Sequence, residues 1–188
     1  MIIGTQTWMK ENLKTTKYRN GDVIGTTTPA NLYITNESAP KYQWAYAGTE
    51  SNVSTYGRLY TWYAITDSRG VCPTGWHIPS YDEHMTFWTS IGGTSSQEMA
   101  DRLKEVGTAH WYSGSTGTNL TGFTALPAGA RLQNGDFMWL GIGAYIWDST
   151  PDAWYPLTVA HCIYVSYETS FSGGLEFKSG GSVRCLKD

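Results

Sequence analysis

Charge, cysteine and long apolar runs are all scarce in this sequence. Charged residues make up 15% of the 188, the formal net charge is -3, and Lys and Arg nowhere gather in a cluster of five. Such a chain offers no sequence-independent attraction to a polyanion, so nucleic acid is not expected as a partner. No apolar stretch approaches the roughly 18–20 residues that span a bilayer, and no membrane insertion by this domain is expected. The opening MIIGTQTW has neither a basic region nor an apolar core, so it is not itself a signal peptide, and whether a leader precedes it stays open. The cysteines are Cys72, Cys162 and Cys185, an odd number with none of the close spacings of zinc sites or redox pairs. One disulfide with one leftover thiol remains possible, the pairing being decided by the fold.

Chemical motifs are missing as well. There is no G-x-S-x-G elbow for a nucleophilic serine, and GGTSS and SGGLEFKSGG lack the strand-loop-helix setting of a phosphate cradle. The stretch GVCPTGWHIPSYDEHMTFW, residues 70–88, gathers a cysteine, two histidines and two acids, but Pro79 separates His77 from the helix that carries His84. The two imidazoles therefore cannot share a helical face, and neither matches HExxH. His77 is expected to make a structural hydrogen bond and His84 to be surface or semi-buried, while His110 and His161 have no visible partner. No catalytic residue, cofactor or metal is expected.

What is abundant is aromatic and flexible: 9 Trp, 13 Tyr and 21 Gly. A chain of this length and composition suits one loop-rich globular domain over residues 1–188. Two helices are predicted. Ser80 with Glu83 three residues on forms a capping box, with Met85, Trp88 and Ile91 as the buried face and Gly92 beyond the end. Ser95 with Glu98 repeats the device, with Met99, Leu103 and Val106 on one face and Gly107 as the stop. Elsewhere strands are expected at 57–65, in the Pro-interrupted 122–132 as an edge or bulged strand, in GAYIWDST, in the alternating LTVAHCIYVSYET, and in the final GSVRCLKD. Residues 20–56, rich in Thr, Asn, Gly and Ser, read as a long surface excursion. This order is an α+β pattern, two short helices on a small twisted, mostly antiparallel sheet with long loops.

Six stretches in order, IGTQTWMKENLKTTKYRNGD, YGRLYTWYAI, CPTGWHIPS, GFTALPAGAR, AYIWDST and SVRCLKD, resemble the Fibrobacter succinogenes major paralogous domain family. The resemblance implies a secreted or cell-surface protein of the Bacteroidetes or Fibrobacteres kind, and a branch of the C-type-lectin-like fold. Such a fold brings the entry of the first helix beside the last strand, which implies a Cys72–Cys185 bridge with Cys162 as a buried strand thiol; three reduced cysteines are the competing reading. The related formylglycine-generating enzymes need an active cysteine pair that has no recognisable counterpart here. Calcium-binding relatives carry Glu-Pro-Asn or Gln-Pro-Asp, absent in this chain, and Asp148 stands where the present family more often has serine.

Binding by aromatic surface is then the leading expectation, because Trp and Tyr offer flat apolar faces at low entropic cost. Trp8, Trp62, Trp76, Trp88, Trp111 and Trp147 fall within the shared stretches and are expected in the core. Trp139, Trp154 and Tyr155, with Asp148 and Asp152, are the candidate ligand-binding residues. The expected function is a non-enzymatic extracellular module for a glycan or protein ligand; a spacer domain is the alternative, and an enzyme of the same fold the third.

Overall fold

The computed structural model describes residues 1–112 and 114–188. In chain order the elements are β1 (Ile2–Ile3), β2 (Gln6–Thr7), β3 (Gln43–Trp44), α1 (Asn52–Tyr56), β4 (Leu59–Thr61), α2 (Trp62–Ile65), β5 (Trp76–His77), α3 (Tyr81–Ile91) and α4 (Ser96–Leu103), followed by β6 (Ala128–Arg131), β7 (Phe137–Leu140), β8 (Gly143–Pro151), β9 (Val159–Ser166), β10 (Ser170–Glu176), β11 (Gly180–Gly181) and β12 (Leu186–Lys187). The α+β class is as expected. One sheet runs β10-β9-β8-β6-β11-β4-β3, with β7 also on β6 and β10 at the edge. Pairing is antiparallel between these strands except for β6 with β8.

Alternation along β8 and β9 divides the apolar residues between two cores. Ala144, Ile146, Ile163 and Val165 meet Phe87, Trp88 and Ile91 of α3 and Ala100 and Leu103 of α4. Trp147, Ala160 and Cys162 face the other way, onto Tyr60, Ala64 and Val183. A one-residue slip would exchange these faces, so the double burial fixes the register.

Both long helices start where the capping residues place them. Ser80 and Glu83 complete the reciprocal box, and Ser95 accepts from the Glu98 N–H. Their faces and ends differ from expectation. In α3 the buried stripe is His84, Phe87, Trp88 and Ile91, spaced i, i+3, i+4, i+7, while Met85 is exposed. The α4 helix ends at Leu103, because Lys104 turns extended and bridges Ala125. The Lys104 ammonium reaches the Tyr167 carbonyl at 2.7 Å and Asp101 at 2.9 Å. Val106 is exposed, so neither it nor Gly107 terminates the helix as read.

Three further expectations are corrected. The strand predicted over 57–65 stops at Thr61, whose hydroxyl accepts from the Ala64 N–H and starts α2. The segment 20–56 is not wholly superficial, since Ile24, Ile34 and Trp44 are buried. The stretch 122–132 yields an interior strand, β6, flanked by β8 and β11, with Pro127 just outside its pairing. At Gly129, φ is +67° and a Cβ would stand 2.2 Å from the Met138 carbonyl oxygen, so glycine is required there.

Two buried arginines join distant loops through backbone carbonyls. Arg131 donates to Leu32, to Ala30 at 3.0 Å and to Leu132 at 3.1 Å, with its guanidinium 4.1 Å over the Trp44 ring. Arg184 donates to Phe123, to Thr124 at 3.0 Å and to the Asn12 side-chain oxygen at 2.8 Å, stacked 4.1 Å over Phe123. Five N–H groups in a fixed fork suit an arginine to this task. The Cys72–Cys185 disulfide is present and Cys162 is a buried free thiol, pushed up by burial, both as the resemblance implied.

Candidate functional site

The polar cluster at residues 70–88 is a corner of the fold. His77 Nδ1 lies 2.6 Å from Asp188 and its Nε2 3.0 Å from Glu83, the same carboxylate that closes the capping box on Ser80 at 2.8 Å. Strands β5 and β12 pair at this point, His77 opposite Leu186. His84, expected at or near the surface, is 2% exposed; its Nδ1 meets Asp148 at 3.1 Å, and its ring stacks on Trp8. His110, read as partnerless, pairs with Glu105 at 2.8 Å, and His161 lies 4.4 Å from the Tyr81 ring centroid. Among the described residues no group of three or more His, Cys, Asp or Glu is placed to hold a metal ion.

Burial opposes charge on His77, but its hydrogen bonds to Asp188 and Glu83 outweigh that, so its pKa is raised. Burial likewise works against ionised Glu83, and the Ser80 and His77 bonds still hold its carboxyl below the usual range. A cation with a raised folded pKa contributes stability below the unfolded value, roughly pH 6.5, and loses it as pH rises through the folded value. Wild type should therefore melt above His77→Gln at pH 6, with the gap narrowing as pH rises beyond the unfolded value; a gap that does not change with pH would exclude an ionic clasp.

The five residues selected from sequence do not form one patch. Asp148 is fully buried: one oxygen holds His84 and the other accepts from the Thr150 N–H at 2.8 Å. It is an internal tie between β8 and α3, and its reading as a ligand-binding residue is corrected. Its position on the inner face follows from β8 alternation, in which Ala144, Ile146 and Asp148 all point towards the helices. Trp139 is also separate from Trp154 and Tyr155. Its ring packs on Tyr145 near the start of β8, whereas Trp154 and Tyr155 follow the strand's end at Pro151, roughly 20 Å along.

Trp154, Tyr155 and Leu157 are 87%, 66% and 83% exposed on the loop between β8 and β9. This loop is braced from within. Asp152 accepts from the Trp154 and Tyr155 N–H groups at 2.8 and 2.9 Å. The Tyr155 carbonyl receives the Thr158 and Val159 N–H groups, and the Asp152 N–H donates to the Val159 carbonyl. Asp152 thus acts as the loop's turn former. Leu157 lines a cavity of about 130 Å³ together with Tyr63, Phe177 and Glu176.

Trp139 belongs to a second aromatic assembly that sequence reading did not find. Its ring lies 5.1 Å from Tyr145, which lies 4.8 Å from Tyr164, which lies 4.8 Å from Phe171. The register makes this ladder: Tyr145 pairs with Tyr164, and Tyr164 with Phe171, across three adjacent strands. The alternation was visible within each strand, but not which residues stand opposite. Trp139 itself has φ +65°, a left-handed conformation costly for a bulky residue, within a turn closed by the Ile142 N–H on its carbonyl.

The model of the Fibrobacter succinogenes major domain matches residues 1–187. No curated protein and no solved structure matches the chain.

Proposed function

The chain belongs to the Fibrobacter succinogenes major domain family, matched over residues 1–187, and we propose that it is a non-enzymatic binding module of the cell exterior for a glycan or protein ligand. The observation that carries this reading is the internally braced loop presenting Trp154, Tyr155 and Leu157 to solvent. Large apolar side chains on a pre-ordered loop bind with little entropy left to lose, and an aromatic anchor of this kind is a common energetic centre of an interface. The disulfide supports an oxidising compartment, and hence the exterior. The structural partners found for His77, His84 and His110 favour binding over catalysis.

We further propose a C-type-lectin-like arrangement. Its support is that α3 and α4 pack on one sheet, the disulfide joins the entry of α3 to the last strand, and Trp8 bridges Leu186 so that the two ends of the chain meet. An experimental structure whose strand order could not be superposed on that fold would remove this part alone.

The binding reading is tested with a glycan array and a displayed library of extracellular-protein segments. Trp154→Ala should weaken the strongest ligand by tenfold or more, about 1.4 kcal/mol, at unchanged melting temperature, since the side chain packs on little. Silence of wild type against both collections would leave the spacer reading in its place.

A further inference from the structure

We propose that the face of the sheet bearing Trp139, Tyr145, Tyr164 and Phe171 is a second binding site, separate from the 152–158 loop, and that it takes a single chain of a neutral polysaccharide. Between Tyr145, Tyr164, Phe171, Gly173 and Gly174 lies an open groove of about 340 Å³. Among the described residues no charged side chain lines it, so the site suits an uncharged ligand, and the rings give it the mixed character a sugar needs. Their faces are apolar, whereas the Tyr hydroxyls are polar.

Gly173 keeps the groove open. Gly173 stands opposite Cys162 on this face, and a Cβ there would lie 3.3 Å from the Phe171 ring and 3.4 Å from Tyr164. Its φ is not in the left-handed region, so the backbone does not require glycine; the vacant volume is what a side chain would remove.

Hydrogen-bonding groups lie at the groove's rim. The Phe177 N–H to Thr158 and Ser166 N–H to Thr169 bonds close the two ends of the β9–β10 pair. They set the alternation, so that residues 171, 173 and 175 exchange bonds with β9, while the main-chain N–H and C=O groups of Ser172 and Gly174 face away from it. Among the described residues no strand lies on that side, because β10 is the sheet edge.

A bound peptide is the rival occupant, since an edge strand can take an added strand. Direction argues against it: an added strand would run along β10, whereas the ladder runs across β8, β9 and β10 for roughly 10 Å, two strand spacings, with Trp139 packed beyond Tyr145. A ligand following the rings crosses the strands and is read by ring faces. Neighbouring rings are inclined by 38°, 49° and 51°, so they cannot all lie flat on one plane. That favours a soluble, twisting chain over the face of a crystalline polymer.

Affinity electrophoresis through gels containing mixed-linkage β-glucan, arabinoxylan, galactomannan or polygalacturonate tests the site, with Gly173→Leu, Phe171→Ala and Trp154→Ala alongside wild type. The expected result is retardation by at least one of the three neutral polymers, weakened tenfold or more by Gly173→Leu and by Phe171→Ala. Melting curves of the variants keep the reading independent of folding, and Phe171, 49% exposed, can be removed without opening a core cavity. The proposal is overturned if no neutral polymer retards the wild type, if only polygalacturonate does, or if Gly173→Leu, folded, is retarded as strongly as wild type. Loss in Trp154→Ala alone would transfer the ligand to the loop and leave the preceding reading intact.

Discussion

Arg184→Ala is expected to lower the unfolding free energy by about 3–5 kcal/mol, combining an unfilled core volume with buried acceptors left without a donor. The guanidinium lies inside the protein, where burial pushes it down to about 9 against the opposing pull of Glu11. Among the described residues it has no carboxylate partner at contact distance; its ligands are the Phe123 and Thr124 carbonyls, the Asn12 amide oxygen and the Phe123 ring. Asn12 in turn donates to the Tyr56 carbonyl at 2.9 Å. Removing the fork therefore frees three segments at once: the N-terminal stretch around residue 12, the loop at 123–124 and the last strand region. Some of the cost is offset because a buried cation no longer has to be desolvated. Arg184→Lys retains the charge but reaches fewer acceptors from one point, so it should fall between wild type and alanine. Urea unfolding of the three proteins measures this through the midpoint at unchanged slope. A loss below about 1 kcal/mol for alanine would mean that water replaces the fork, and the clamp would not be what holds these loops.

The second large effect concerns the covalent tie. Cys72 and Cys185 are separated by 113 residues, with Cα atoms 5.9 Å apart. Closing a loop of that length restricts the unfolded chain by about 4–5 kcal/mol in the entropy model. A double Cys72→Ala, Cys185→Ala variant should then melt roughly 8–20 °C lower than the oxidised protein, taking about 2–4 °C per kcal/mol at this size. Each alanine is smaller than the half-cystine it replaces, so a Cys162→Ala control separates loss of the tie from loss of buried volume. Cys162 is wholly buried beside Trp147, with its thiol pushed up by that burial, so native protein should show no thiol reactive to a disulfide reagent until it unfolds. A double variant melting within a few degrees of wild type would show that the unfolded ensemble is already compact enough to lose little from opening the loop.

Elements written in local chemistry were legible. Ser80 with Glu83 and Ser95 with Glu98 start the two helices because a hydroxyl and a carboxylate at that spacing satisfy free N–H groups without help from elsewhere. The alternation of β9 was equally local. The stops were less so: α4 ends at Leu103 because the Lys104 side chain finds Tyr167, sixty-three residues away, and no nearby residue announces that bond. His84 shows the same limit. A histidine on a helix face reads as polar, and only an aspartate arriving from β8 makes burial affordable.

The candidate site divides along the same line. That Trp154 and Tyr155 could offer aromatic surface is legible in the sequence, whereas Asp152, which reads there as a binding residue, braces their loop by accepting both N–H groups, which only the structure shows. The membership of the family and the presence of aromatic surface likewise belong to the chain as written. The separation of Trp139 from Trp154, the withdrawal of Asp148 into the interior and the alignment of Tyr145, Tyr164 and Phe171 came only with the folded sheet. Period-two alternation states that a side chain points to one of two faces; which face, and opposite whom, is set by pairing between residues far apart in sequence, and that is a property of the whole structure.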